Sequence, residues 1–290
     1  MVRPSRSYRV FQGVNGVILS LVVLVTLYPF VNIVARSFSG ERQIRSGEVT
    51  LWPKGFNLTT YEIVFQDAMF WRNYGNTVLY TVVSTAVAMV LTTCYAYVLS
   101  KKHIKGRGLL VGIAVFTMFF TGGLIPNYVL ITSLGMKNTI WALAVPNAIS
   151  VFNLLVMKAF FENLPTELEE AAQIDGLSTY GILLRIVLPL SKAVVATMVL
   201  FYSVSFWNSW FGAFLYMDRS ELMPVTVYLR NLIAGATGGG NAGATTEQLT
   251  QVAANIQAVT IVLTALPILC VYPFIQRYFV SGVMLGAVKG

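Results

Sequence analysis

Apolar residues in this chain fall in long unbroken runs, at about 13–38, 74–100, 109–126, 139–161, 193–217 and 253–279. Each run is long enough to cross a hydrocarbon core of ~30 Å as a helix. None shows the strict alternation of a barrel strand, so helices are the expected spanning form. The first run is too long for a signal peptide, and no small-x-small cleavage site closes it. Polar stretches separate the runs. Residues 39–72 mix both charge signs around Pro53 and Gly55 and predict an outer loop with short helices. Residues 127–138 form a short connection, and 218–251 form a longer one with the glycine-rich run GATGGGNAGATT at 235–246.

One polar stretch has a more definite local pattern. PTELEEAAQIDGLSTYGILLRIVLPL gathers Glu167, Glu169, Glu170 and Asp175 close behind Glu162. Thr166 and Glu169 have the spacing of a capping box, with Pro165 just ahead, so a helix is expected to start there. Gly176 offers a stop, because glycine tolerates the left-handed conformation that closes a helix. Ser178 or Thr179 can cap a second short helix, limited by Pro189. Ala171 and Ala172 leave a flat patch beside Glu170, suited to close approach by another protein. An ordinary amphipathic connector between two spans would also fit this pattern.

Composition narrows the class. The chain has 290 residues, 56% hydrophobic and only 11% charged, with mean hydropathy +0.68. A soluble domain carries roughly a quarter charged residues, so this is a multi-pass membrane protein. The net charge of +8 would suggest nucleic acid in a soluble protein. Here the basic residues lie mostly in loops, where they set orientation, and no nucleic-acid partner is expected. The densest cluster, KKHIKGR at 101–107, marks a cytoplasmic loop. Counting six spans from it puts both termini in the cytoplasm and the acidic stretch on the same side. His103 reads as a surface residue of that loop. Cys94 and Cys270 fall in apolar runs and suggest neither metal nor disulfide.

Several functions are disfavoured. No span carries an ionisable side chain in its middle, against proton-coupled transport or voltage sensing. No Gly-Lys pair exists, so the chain lacks a P-loop of its own. The single histidine leaves no plausible hydrolytic triad, and no enzyme is expected. Asn147, Ser150 and Asn153 recur at helical spacing on the fourth run, and Tyr202, Trp207, Asn208 and Trp210 crowd the fifth. Neutral hydrogen-bonding groups among aromatic rings suit a sugar. Helix–helix contacts and an interfacial aromatic belt account for the same residues. Asn147, Asn153, Tyr202, Trp207 and Asn208 are the candidates for a substrate path.

EAAQIDG at 170–176 with IVLPL at 186–190 resembles the EAA loop of ABC-importer membrane subunits. The family's positions fall on Glu170, Ala171, Ala172, Gly176, Ile186, Leu188 and Pro189. FFTGGLIPNYVLITSLGMKNTIWALAVPNAISVFNLLVMKAFFENLP, FYSVSFWNSWFGAFLY and YPFIQRYFVSGVMLGAVKG resemble the smaller subunit of maltose-type carbohydrate importers, nearest the lipoprotein-fed oligosaccharide branch. The likeness is firm over 74–290 and looser over the first span. It implies an all-α, six-span, type I importer permease fold in a prokaryotic plasma membrane. It divides the chain into an arm, first helix and outer loop (1–73), a permease core (74–280, with the EAA loop at 163–192) and a cytoplasmic tail (281–290). Glu170, Ala171, Ala172, Asp175 and Gly176 would couple to a separate ATPase. The implied partners are a homologous second permease, two ATPase copies and an extracellular or periplasmic sugar-binding protein, a lipoprotein in that branch. ATP and Mg would bind the ATPase, leaving this chain without a cofactor. The loop at 218–252 lies where the family meets its binding protein, though the glycine-rich insert has no counterpart there. A sodium-coupled sugar carrier working alone, with ions held by backbone carbonyls, is the alternative.

Overall fold

The computed structural model describes residues 6–237, 255–271 and 273. The glycine-rich run beyond 237 and the tail at 281–290 lie outside the described residues. Among those described the chain is entirely helical and loop, without a strand. The helices are α1 (Arg6–Ser37), α2 (Glu41–Arg45), α3 (Thr59–Gln66), α4 (Ala68–Ser100), α5 (Arg107–Phe119), α6 (Leu124–Ser133) and α7 (Trp141–Ala144). Then follow α8 (Val151–Glu162) and α9 (Thr166–Ile174), α10 (Thr179–Leu190) and α11 (Lys192–Asn208), α12 (Phe211–Tyr216) and α13 (Val225–Thr237), and α14 (Asn255–Val271). The chain forms two compact units, Met1–Ala68 with Leu229–Pro267, and Met69–Tyr228 with Ile268–Gly290.

In the first unit α1 presents apolar side chains all round, none of them buried over its most apolar stretch, as lipid-facing surface would be. The Thr26 hydroxyl is satisfied internally, donating to the carbonyls of Val22 and Val23. The end of α1 is different. Ser39 donates to Ala35 O (2.6 Å) and accepts from Lys54 N (3.0 Å), and Tyr61 donates to Ser37 Oγ (2.9 Å). Asn32 donates to the carbonyls of Val49 and Thr50, and Asn255 to that of Ser39. These bonds hold residues 39–67 as a cap over a small core of Ala35, Ile44 and Val49.

The second unit is built on α4. Thr77, Thr85, Ala88, Thr92 and Ala96 are buried along one face at spacings of three to eight, and such small side chains let neighbouring backbones approach. Thr92 shares a 2.6 Å hydrogen bond with Tyr202 on α11, and Thr93 donates to Met157 on α8. At the other end Asn76 and Tyr80 donate to carbonyls of 221–223, while Val225 N donates to Thr77.

Three of the runs expected as single helices, 109–126, 139–161 and 193–217, are interrupted. The run 109–126 is cut after Phe119, and α6 leaves at 113° to α5. Gly123, with φ +88, and Pro126 impose that break. The run 139–161 holds only α7 and α8. α7 stops at Pro146, which brings no backbone N–H to continue the helix, although Val145 before it keeps helical angles. Ser150 restarts the chain by accepting from Asn153 N. Asn147 and Ser150 therefore precede the helix rather than share a face of it. In α10 a π-helical turn at Leu183–Val187 leads into Pro189, and α11 turns off at 87°. Proline removes a backbone donor and π turns accommodate such defects. The run 193–217 breaks again at Ser209, between α11 and α12.

Asn138 has φ +60 and closes a clasp between two loops. Its N–H reaches Tyr216 O at 3.0 Å, its Oδ1 accepts from Asp218 N at 2.7 Å, and its Nδ2 donates to Asp218 Oδ2 at 3.2 Å. Lys137 pairs with the same carboxylate at 3.0 Å. Asn138→Val removes the side-chain bonds and adds about 1–2 kcal/mol of left-handed strain, whereas Asn138→Gly removes the bonds alone. The valine variant is expected to melt below the glycine variant in detergent, and equal melting temperatures would remove the strain from the account. Bonds from Lys137, then Asn138, hold the Asp218 carboxyl below its ordinary value of 3.8. A depressed carboxyl contributes fully above that ordinary value, so the clasp is lost only as pH falls below it.

Candidate functional site

The acidic stretch folds as the helix-turn-helix its pattern predicts, with one change of register. Pro165 takes the N-cap position and no side chain caps the helix. Thr166 then stands inside the first turn, one place too late for a capping box with Glu169. Glu167 and Glu169 still lie in that turn, where the helix dipole favours acids. Glu169 takes a different partner, the ammonium of Lys101 at the end of the basic loop. At the far end Gly176 N donates to Gln173 O and Leu177 N to Ala172 O, each at 3.0 Å, with Gly176 at φ +81. That pair of bonds is a Schellman closure, and it needs a left-handed residue at this position. Ser178 caps α10 by accepting from Gly181 N at 3.3 Å.

The two alanines part company. Ala172, 4% exposed, packs into the main core with Tyr97, Phe161, Ile182 and Val187, while Ala171 faces outward. Glu170, Asp175 and Gly176 are exposed with it. Beside them stand two large apolar side chains that the sequence reading left out, Ile174 at 87% and Tyr180 at 76% exposure. Apolar side chains exposed close in sequence to acids suit docking by another protein. A Cβ built on Gly176 would meet nothing within 4 Å, so within this chain the position demands glycine for its backbone alone.

Charge organises the underside of this helix. Arg107 pairs with Glu162 and donates through Nε to Leu99 O at 2.6 Å, and Lys158 pairs with Glu162 at 2.9 Å. The Lys101 ammonium also lies 4.3 Å from the Tyr97 ring centre. A cavity of about 500 Å³ opens here, lined by Lys101, Lys102, Glu162, Glu169, Glu170 and Gln173 among others. The signal for this arrangement was in the sequence: an acid-free basic loop and an acidic stretch assigned to one side.

The path candidates divide by burial. Tyr202 is buried, and its hydroxyl accepts from Ser150 N at 2.9 Å while bonding Thr92. Trp207 is buried with its ring edge-on to Tyr74 at 5.8 Å. Asn153 is buried in the first turn of α8. Asn147 and Asn208 are exposed, and among the described residues Asn208 donates to Val204 O on its own helix. Each of these two lies at a helix break, beside 145–150 and Ser209.

No family model matches the chain. Protein LplC of Bacillus subtilis is 42% identical over 286 residues, covering 99% of this chain and 97% of that protein. The polygalacturonan/rhamnogalacturonan transport system permease protein YtcP of the same organism is 38% identical over 289 residues, covering 97% of this chain and 99% of that protein. A chain in the crystal structure of a bacterial ABC transporter involved in import of the acidic polysaccharide alginate superposes with TM-score 0.85 at 32% identity, covering 96% of this chain and 100% of that one. The stand-alone sodium-coupled carrier finds no support in these likenesses. The chain is a non-catalytic subunit of the plasma membrane, and ATP hydrolysis is the work of a separate ATPase. Identity and coverage of this order, on a matching helical fold, place the chain among the membrane-spanning permease subunits of ABC importers.

Proposed function

We propose that this chain is the smaller permease subunit of an importer for a carbohydrate, an oligosaccharide in size, and that α9 is its coupling helix. The observation that carries the reading is the exposed face of α9 and its turn. Glu170, Ala171, Asp175 and Gly176 stand clear of the chain with Ile174, while Ala172 anchors the helix from behind. The docked ATPase holds ATP and Mg, and this chain holds no cofactor. The polysaccharides that YtcP and the alginate transporter are named for support a sugar substrate.

Six crossings with both termini in the cytoplasm fit the helices described. α1 and α4 are long enough alone, and the bent pairs α5–α6 and α10–α11 supply two more. α8, at 12 residues, is about 18 Å long and needs α7 and the stretch 145–150 to complete its crossing. α14 is the sixth. The Lys101–Glu169 pair supports a common side for the basic loop and the coupling helix. Irregular backbone at membrane depth is tolerated only inside protein or along a wet cavity. On that ground Asn147 and Asn208, exposed at breaks, are the foremost path residues, and Asn153, Tyr202 and Trp207 set the helices behind them. The partners are a homologous second permease, two ATPase copies and a lipoprotein that delivers the sugar. The chain divides as arm, first helix and outer loop (1–73), core (74–280) and cytoplasmic tail (281–290).

Gly176→Leu incurs about 1 kcal/mol of backbone cost and meets no clash within the chain, so it inserts normally. Glu170→Lys reverses the charge offered to the ATPase. Both variants are expected to lose the stimulation of ATPase activity by loaded binding protein in vesicles. Wild-type stimulation and uptake in both would reduce α9 to a connector.

Topology is open to labelling in a background with Cys94 and Cys270 replaced by serine. An impermeant reagent added outside is expected to reach Gly240→Cys and spare Lys105→Cys. Labelling of both overturns the inward placement of the basic loop.

For the path, Asn147→Ala and Asn208→Ala should each weaken uptake by about 1 kcal/mol per lost sugar hydrogen bond, a several-fold rise in half-saturating sugar, with the complex intact. Unchanged uptake kinetics in both would return these residues to a structural role.

A further inference from the structure

Glu169 belongs to the coupling helix yet turns away from the surface that α9 offers a partner. Its side chain is 15% exposed and pairs with Lys101, itself 20% exposed. Lys101 follows α4 directly, and its ammonium rests over the ring of Tyr97 one turn back. The Tyr97 hydroxyl lies beside the same carboxylate. Four residues further back along α4, Thr93 bonds Met157 of α8, and Thr92 next to it bonds Tyr202 of α11. The Tyr202 hydroxyl in turn holds Ser150 N, in the broken segment that also carries Asn147. A series of side-chain contacts joined along the backbone of α4 therefore leads from α9 to the helix break.

We propose that Lys101 is a positioning residue that makes α4 a second attachment of the coupling helix, so that a push on α9 reaches the substrate path through α4 as well as through α8 and α10. The proposal rests on the reading of α9 as the coupling helix. Two features favour a mechanical role over surface decoration. The pair is mostly sheltered from solvent, unlike exposed ion pairs, whose effect is often immeasurably small. The tie also joins elements that the chain itself links only through α5 to α8, with 67 intervening residues from Lys102 to Leu168. The test therefore reads coupling itself.

The experiment uses the full complex with ATPase and binding protein in proteoliposomes, comparing Lys101→Met, Lys101→Arg, Lys101→Glu and the exchange Lys101→Glu with Glu169→Lys. The readouts are co-purification of the ATPase, its stimulation by loaded binding protein, and sugar transported per ATP hydrolysed. Lys101→Met should keep the ATPase bound, because Lys101 is not on the exposed face of α9, while sugar per ATP falls roughly fivefold or more, the lower range of coupling between linked sites. Lys101→Arg should stay near wild type. Lys101→Glu should be the weakest, and the exchange should recover part of the ratio. A wild-type ratio in Lys101→Met, or an exchange no better than Lys101→Glu, overturns the proposal. Loss of ATPase co-purification in Lys101→Met also overturns it, by making Lys101 an assembly residue. Failure of the coupling-helix reading has a separate signature, intact stimulation in Glu170→Lys, which is measured alongside.

Discussion

A bilayer offers the backbone no water, so every peptide group at membrane depth must find its partner within the protein. That constraint decides where this chain is simple and where it is not. α1 answers it alone: a continuous helix, apolar on all sides, with even Thr26 turned back onto its own carbonyls. α4 answers it together with its neighbours, through a face of Thr, Ser and Ala that lets α8 and α11 come close enough for bonds such as Thr92–Tyr202. Where the helices break, side chains take over. Tyr202 accepts the N–H of Ser150 just where α8 has not yet begun. Tyr202 is thus the support of an exposed backbone segment, and its ring and hydroxyl are occupied by that work.

The same scarcity of polar partners concentrates charge at one end. Lys101, Arg107, Lys158, Glu162 and Glu169 form two adjoining clusters, each with its ions mostly sheltered. Removing one member would leave a partly desolvated charge unpaired, which is costlier than deleting a whole surface pair. Oppositely charged loops are therefore bound to hold a fixed geometry together. Glu170, one residue beyond Glu169, points outward and stays available. Adjacent acids on one helix serve inside and outside because successive positions are turned by about 100°.

Much of this was legible in the sequence. Long apolar runs gave helices, the Gly176 stop and the Ser178 cap formed as local rules require, and EAAQIDG pointed to the family. What was misread traces to competition between local and distant partners. The capping box failed because Pro165 occupied the cap and Lys101 claimed Glu169. The expected single helices at 109–126, 139–161 and 193–217 failed because hydropathy averages over Gly123, Pro146 and Ser209, which are apolar or neutral enough to leave the runs intact. The flat alanine patch was half right, since helical periodicity turns Ala172 inward when Ala171 faces out. Ile174 and Tyr180 escaped notice because an apolar residue in a sequence is presumed buried, and only geometry shows that these are not.

Those exposed side chains bear on why α9 is held rigid. A helix of nine residues is marginal in water by itself, and a docking surface that melted on each cycle would transmit little force. Here three independent ties remove that freedom. Ala172 is packed in the core, Gly176 and Leu177 close the last turn, and Glu169 is fixed to the end of α4. Ile174 and Tyr180 can then be offered to a partner without the ordering cost that flexible anchors would bring to binding. In the coupling role proposed for it, a short helix held from behind at three points can carry load in both directions. On that reading a ligand bound at either end favours binding at the other, the reciprocity that linkage imposes on binding free energies.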